Sequence, residues 1–343
     1  MIKSISNFKI LDCTLRDGGH VNDFNFGEVN IKKIIKGLVN SNVDIIELGF
    51  LMNGNHNKNQ TLYNTVSEAE IHLNGITVDR EFCLMIRPDW YDINQLEKCT
   101  GKIKAIRFAF YQKDLELTLH QATIARNYGY GVYLNAVNVF SYSDTELENI
   151  LISLNRFKPK AISIVDTFGS MLPEDLVKLF EIFNNNVDND ITLGLHLHEN
   201  LCISLALAHQ FLGLIGNSRN AIIDSSILGM GRIPGNLCSE LIMNYLNIKG
   251  IGKYNLNSVY ELISDPISEI KKQMPWGYVP AYAITAYLKM HRSYAEYMIE
   301  KTTLSLHEMR LILLKIETDQ QKDNYDEKLI ESICNEYFIT KNQ

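Results

Sequence analysis

The chain has no Cys-x-x-Cys spacing; its six cysteines, at 13, 83, 99, 202, 238 and 334, are scattered, and most fall in apolar or helical segments. That excludes a disulfide frame and predicts reduced thiols in a cytoplasmic protein. A basic block is also missing. With 40 Asp and Glu against 33 Lys and Arg, the net charge is −7 and the pI about 5.8, so nucleic acid is not an expected partner. No apolar run approaches the roughly 20 residues of a membrane span. The start, Met-Ile-Lys-Ser-Ile-Ser-Asn, runs directly into an apolar stretch, and no signal peptide is expected there. Internal repeats, low-complexity tracts and Ser/Gly linkers are absent. The first apolar run is not followed by a Gly-x-Gly-x-x-Gly turn, which argues against an open doubly wound sheet.

What is present is alternation. Short β-prone runs at 8–11, 45–48, 82–86, 105–110, 131–137, 161–165, 192–196 and 221–224 are separated by amphipathic stretches at 28–40, 114–128, 144–156, 173–184, 203–214 and 236–247. Ser143-Asp144 and Leu172-Pro173 read as helix starts. Eight strands followed by helices predict an α/β fold, a (β/α)8 TIM barrel with its active site where strands run out into βα loops. From about residue 250 the pattern becomes helical without strands, with a break at Pro275-Trp276-Gly277-Tyr278-Val279-Pro280. This predicts a barrel domain over 1–250 and a C-terminal α-helical module over 251–343. Tyr282, Tyr287, Tyr294 and Tyr297, at helical spacing, read as core or interface, and 318–328 as a solvated helix or turn.

Two clusters carry chemistry. Asp12-Cys13-Thr14-Leu15-Arg16-Asp17-Gly18-Gly19-His20 leaves the first strand and crowds a guanidinium, a carboxylate and an imidazole into five residues. Far downstream lies Gly194-Leu195-His196-Leu197-His198-Glu199-Asn200. On a strand, residues i and i+2 share a face, so His196 and His198 can meet one cation, with Asp17 as an oxygen ligand if the fold joins the loops. Such a triad leaves coordination positions for a substrate carbonyl. His56, His72, His120, His209 and His291 show no partner pattern.

With these motifs, the chain resembles the DRE-type metal-dependent TIM-barrel (HMGL-like) enzymes, a group that includes hydroxymethylglutaryl-CoA lyase, isopropylmalate synthase and 4-hydroxy-2-oxovalerate aldolase. Residues 12–20 are similar to the group's first-strand signature, and His196-Leu197-His198 to its seventh-strand metal motif. Asp166-Thr167-Phe168-Gly169 resembles the loop after strand six, and Gly229-Met230-Gly231-Arg232-Ile233-Pro234-Gly235-Asn236 the Gly-rich loop after strand eight. Gly19-His20 looks like the pyruvate-aldolase branch, whereas the acyl-CoA condensing members carry Glu-Gln. The resemblance implies an aldolase that forms or cleaves a 4-hydroxy-2-oxo acid from a 2-oxo acid (pyruvate) and an aldehyde. The alternatives are an acyl-CoA-dependent condensing enzyme or a silent barrel acting as scaffold.

The same resemblance implies roles. Asp17, His196 and His198 would hold Mn²⁺ or Mg²⁺, with Asn236 either joining them or capping the next helix. Arg16 would face the enolate oxygen, and His20 would take the 4-hydroxyl proton. Tyr282, or second Tyr278, would reach the aldehyde site. Thr167 would bind the substrate carboxylate or shape its loop. Arg87 and Arg107, near the ends of strands three and four, would face the aldehyde and suit a polar or anionic one, sugar-derived for example, or else belong to the barrel wall. The resemblance implies an aldehyde dehydrogenase partner, and a homodimer through the aromatic helices is the alternative. Four positions depart from the family: Cys13, Gly19 where a Ser is usual, and the pair Ile233-Pro234, which stiffens the Gly-rich loop and removes an N–H.

Overall fold

The computed structural model describes residues 8–78, 80–216, 218–232 and 234–341. Eight parallel strands close into a ring: β1 (Phe8–Asp12), β2 (Ile45–Leu51), β3 (Glu81–Ile86), β4 (Ile103–Phe110), β5 (Gly131–Ala136), β6 (Ala161–Val165), β7 (Thr192–His196) and β8 (Ala221–Ser225). Each pairs with the next, and β1 completes the circle by pairing with both β2 and β8. Strands covered on both faces read as continuous apolar runs; all seven residues of β2 are buried. The expected strands are all found, and a two-residue strand, Leu62–Tyr63, is added beside β2.

The helical layer departs from the regular count. Between β3 and β4 there is only a 3-10 turn, Ile93–Gln95. Pro88 and the side-chain-to-backbone bond from Asn94 N–H to Asp92 hold this segment as turns. Elsewhere the expected starts form: Ser143 caps the helix Asp144–Phe157 with a reciprocal Glu146 bond, and Pro173 opens Pro173–Asn186.

Inside the ring, Leu11, Ile45, Cys83, Ala105, Tyr133, Ala161 and Ile222 form a buried apolar plug. β7 contributes only Gly194 at this level. A Cβ there would lie 2.2 Å from the Ser163 hydroxyl oxygen, so the strand that carries His196 can approach β6 only with glycine at this position.

The helices Leu256–Leu262 and Ser268–Gln273 lie on the barrel. Val259, Leu262, Ile267, Ile270 and Trp276 join its core. A second core begins at Ala281 and includes Tyr282, Tyr294, Met298, Ile312 and Cys334. On this packing we propose that the two units divide between Trp276 and Ala281, not at residue 250. Tyr294 and Tyr282 are buried as the stripe suggested, while Tyr287 is exposed.

The helical unit returns to the barrel mouth through His291, whose ring meets Phe168 edge-on at 5.2 Å. Burial, helped by Arg232 and Arg292, pushes the His291 imidazole down from 6.5 to about 4. Between those values the unfolded chain binds a proton that the folded chain does not, so this residue's contribution to stability is lost as pH falls through that window. Buried Asp12 and Asp166, pushed up to about 6, act with the opposite sign, so the comparison must be paired. In urea unfolding at pH 7 and pH 5, His291→Gln should lose less stability than the wild type. Equal losses would show that the imidazole is protonated in the folded state.

Candidate active site

Moving two residues along each strand from the apolar plug reaches the next inward layer, and its character changes. Ile45 gives way to Glu47, Ala105 to Arg107, Tyr133 to Asn135, Ala161 to Ser163, Gly194 to His196 and Ile222 to Asp224. These charges are almost wholly buried, Glu47 at 0 %, Arg107 at 2 % and Asp224 at 2 % exposure. Charge at that depth persists only when paired. Arg16 donates from Nε to Glu47 (2.7 Å) and from a terminal nitrogen to Asp17 (2.9 Å). Arg107 lies 3.1 Å from Glu47 and 2.5 Å from Asp224. Asp224 in turn accepts from His196 Nδ1 at 3.1 Å.

This chain of contacts aims the metal-type ligands. His196 commits Nδ1 to Asp224, and His198 commits Nδ1 to the Asp166 carbonyl at 2.7 Å, so each Nε2 is left to face the cavity, as outer partners do for ligating histidines. The two Nε2 atoms stand 3.8 and 3.6 Å from Asp17 Oδ2, and ligand atoms of the three residues lie within 4.8 Å of one another. Asp17 Oδ2 is buried without a hydrogen-bond partner. Burial opposes ionisation of Asp17, yet Arg16 and the two histidines more than offset it and hold the carboxyl well below the usual range. Burial also lowers His196, keeping its ring neutral. An anionic oxygen with an orphaned lone pair and two ring Nε2 atoms aimed at the same space fit a divalent cation.

Arg16, Asp17, His20, Thr167, His196 and His198, together with Arg87 and Arg107, line one cavity of about 140 Å³ at the C-terminal end of the barrel. His20 Nε2 is 3.9 Å from Asp17, and its ring meets the edges of Phe24 and Phe50 at 5.0 and 6.1 Å. Burial pushes His20 down to about 4, so it is neutral near pH 7. Thr167 Oγ accepts from the Asn138 N–H at 2.6 Å, which leaves its O–H free to donate into the cavity.

Other expected residues sit differently. Arg107 is mid-strand in the floor with its charge matched by Glu47 and Asp224, not at the rim, because it faces inward one layer too deep. Arg87 is at the rim, clamped to Asp89 at 2.7 and 3.1 Å and lying 4.2 Å over the Trp90 ring. Tyr278 is 57 % exposed and Tyr282 is packed in the second core under Arg292; neither is among the cavity-lining residues. Asn236 is buried beside the triad, bridged to His198 through the backbone. Its amide nitrogen donates to the Met230 carbonyl at 3.3 Å while its Oδ1 is unpaired. It does not cap a helix, since the next one begins at Ser239. Of the stiff pair in the Gly-rich loop, Ile233 lies outside the described residues.

The HMGL-like family model matches residues 7–265. The chain belongs to the HMGL-like family. Relatives of this HMGL-like protein include a 4-hydroxy-2-oxovalerate aldolase from Geobacillus genomosp. 3, 23 % identical over 76 % of this chain and 78 % of that one. A homocitrate synthase from Pyrococcus horikoshii is 25 % identical over 76 % of this chain and 71 % of its own. Among solved structures, the N-terminal domain of a candidate aldolase from Bacteroides vulgatus superposes with a TM-score of 0.75 at 22 % identity, covering 88 % of this chain and 98 % of that one. That likeness establishes the barrel fold. Within the HMGL-like chain, Glu47, Asp224 and Arg232 were not singled out from the sequence. For the first two a signal existed: a lone carboxylate in Ile45-Ile46-Glu47-Leu48 and in Ile222-Ile223-Asp224 contradicts a buried strand unless it has a partner. Arg232, in the Gly-rich loop, joins the cavity wall with no such mark.

Proposed function

We propose that this chain is a divalent-metal-dependent aldolase that forms or cleaves a 4-hydroxy-2-oxo acid, with pyruvate as the 2-oxo acid and an aldehyde as its partner. The observation that carries the reading is the convergence, in one cavity, of Asp17, His196 and His198 with Arg16 and the neutral ring of His20. A divalent ion held by the triad would supply Lewis-acid polarisation of the keto group, and mixed carboxylate and imidazole donors with open positions suit Mn²⁺ or Mg²⁺. Arg16, fixed by Glu47 and Asp17, holds a positive charge where negative charge collects on the keto oxygen as the C3–C4 bond breaks. Neutral His20 accepts the 4-hydroxyl proton in cleavage and returns it in synthesis. Thr167 donates its free O–H to the substrate carboxylate. Among the described residues no lysine lines the cavity, and the reading invokes no Schiff base.

Pyruvate incubated in D₂O with the Mn²⁺-loaded protein should lose its methyl proton signal, and chelation should stop the loss. His20→Ala should lower the rate of aldol cleavage by about 10²–10⁴-fold, the usual value of a positioned acid–base group. Unchanged cleavage would remove His20 from the mechanism. Metal-dependent thiol release from acetyl-CoA, with no pyruvate exchange, would instead establish the condensing reaction.

A further inference from the structure

A second space adjoins the small cavity. A polar groove of about 700 Å³ lies between the barrel loops and the helical unit. Consecutive residues serve the two spaces: Val137 and Thr167 line the cavity, while Asn138 and Phe168 line the groove, and Tyr111 lines both. The two spaces therefore adjoin at Tyr111, and a molecule whose reacting end lies in the cavity has the groove as the next space for its other end.

The groove's lining distinguishes among possible tails. Its barrel side offers the Lys113 ammonium and the Tyr111 hydroxyl, and its helical side the Gln320 amide and the Tyr325 hydroxyl; no hydrogen bond or ion pair involves these four side-chain groups among the described residues. Asp319 and Asp323 supply acceptors on the same side. At the seam, Asn138 is 6 % exposed, holds a left-handed backbone (φ 56°) and keeps Oδ1 without a partner. An anionic tail would meet the Asp319 and Asp323 carboxylates, the first already paired with Lys322 at 3.7 Å, with Lys113 as the one lysine lining the groove among the described residues. An alkyl tail would strip water from donors and acceptors without replacing it. A hydroxyl both donates and accepts, and the rings of Tyr111, Tyr142, Phe168 and Tyr325 give the carbon skeleton apolar faces.

We propose that this groove is the acceptor-tail site of the enzyme and that the aldehyde is a polyhydroxylated, uncharged one of the sugar class; the inference rests on the aldolase reading above. The pyruvate methyl carbon, having given up one proton, bonds to the acceptor's carbonyl carbon, the carbonyl oxygen takes a proton through His20 to become the 4-hydroxyl, and the hydroxyl-bearing chain lies along the groove.

The test compares two four-carbon acceptors, D-erythrose and butanal, with the full-length Mn²⁺-loaded protein and pyruvate. kcat/KM for erythrose should exceed that for butanal by at least tenfold. Lys113→Trp and Gln320→Trp, exposed positions on opposite walls of the groove, should each bring that ratio toward one by filling it. A wild-type ratio of one or less, or a ratio unmoved in both variants, overturns the proposal while pyruvate methyl exchange still upholds the aldolase. Absence of exchange with either acceptor removes the aldolase reading and this one with it.

Discussion

Asp17→Asn should abolish metal-dependent exchange of pyruvate's methyl protons, with a fall of about 10³-fold or more, since Lewis-acid stabilisation contributes several kcal/mol to such reactions. The asparagine keeps the oxygen that accepts from Arg16 but turns an N–H₂ group toward the free Nε2 atoms of His196 and His198, where the wild type holds an orphaned carboxylate oxygen. The amide satisfies the histidines and removes the anionic ligand in one change. Mn²⁺ titration followed by electron paramagnetic resonance gives a readout independent of turnover: affinity should drop at least tenfold, as loss of an inner ligand must exceed the 10–100-fold effect of removing an outer partner. Wild-type affinity in this variant would place the cation elsewhere.

Glu47→Ala should destabilise the fold by about 3–5 kcal/mol, because removing one member of a buried charged network strands the others. Glu47 is wholly buried and serves two guanidiniums, those of Arg16 at 2.7 Å and Arg107 at 3.1 Å. With it gone, Arg16 retains only Asp17 and Arg107 only Asp224 among the close carboxylates. Equilibrium urea unfolding measures the loss, and Glu47→Gln, which keeps the volume and one acceptor, should lose less stability while still freeing Arg16 to swing from its position beside the triad. A change below about 1 kcal/mol, the range of ordinary surface pairs, would mean that the floor charges are compensated by other means.

The sequence disclosed most of the barrel because its strands are buried on both faces and therefore read as uninterrupted apolar runs, bounded by loops rich in charge and glycine. Arg16, Asp17 and His20 were legible together because they are neighbours in the chain, and His196 with His198 because period two is a local rule. What could not be read depends on ring closure. Glu47 meets Arg107 only because β2, β3 and β4 are adjacent, and Asp224 meets Arg107 across the interior. That geometry also explains why Arg107 was left between the aldehyde site and the barrel wall: inward orientation was evident in principle, depth was not. The missing helix after β3 had no positive signal, and helices 256–273 looked like part of a separate module because an apolar stripe does not say which surface it covers. The groove was illegible for the same reason, being assembled from loops and a helical turn far apart in the chain.

The period-two layering of the barrel interior has a consequence for what can be exchanged. Glu47, Arg107 and Asp224 sit on strand positions that cannot change without breaking a buried charge network, whereas the walls of the neighbouring groove come from loops and from helices with a core of their own. Replacing that outer unit would leave the buried charges beneath the cavity untouched, because none of them lies in it.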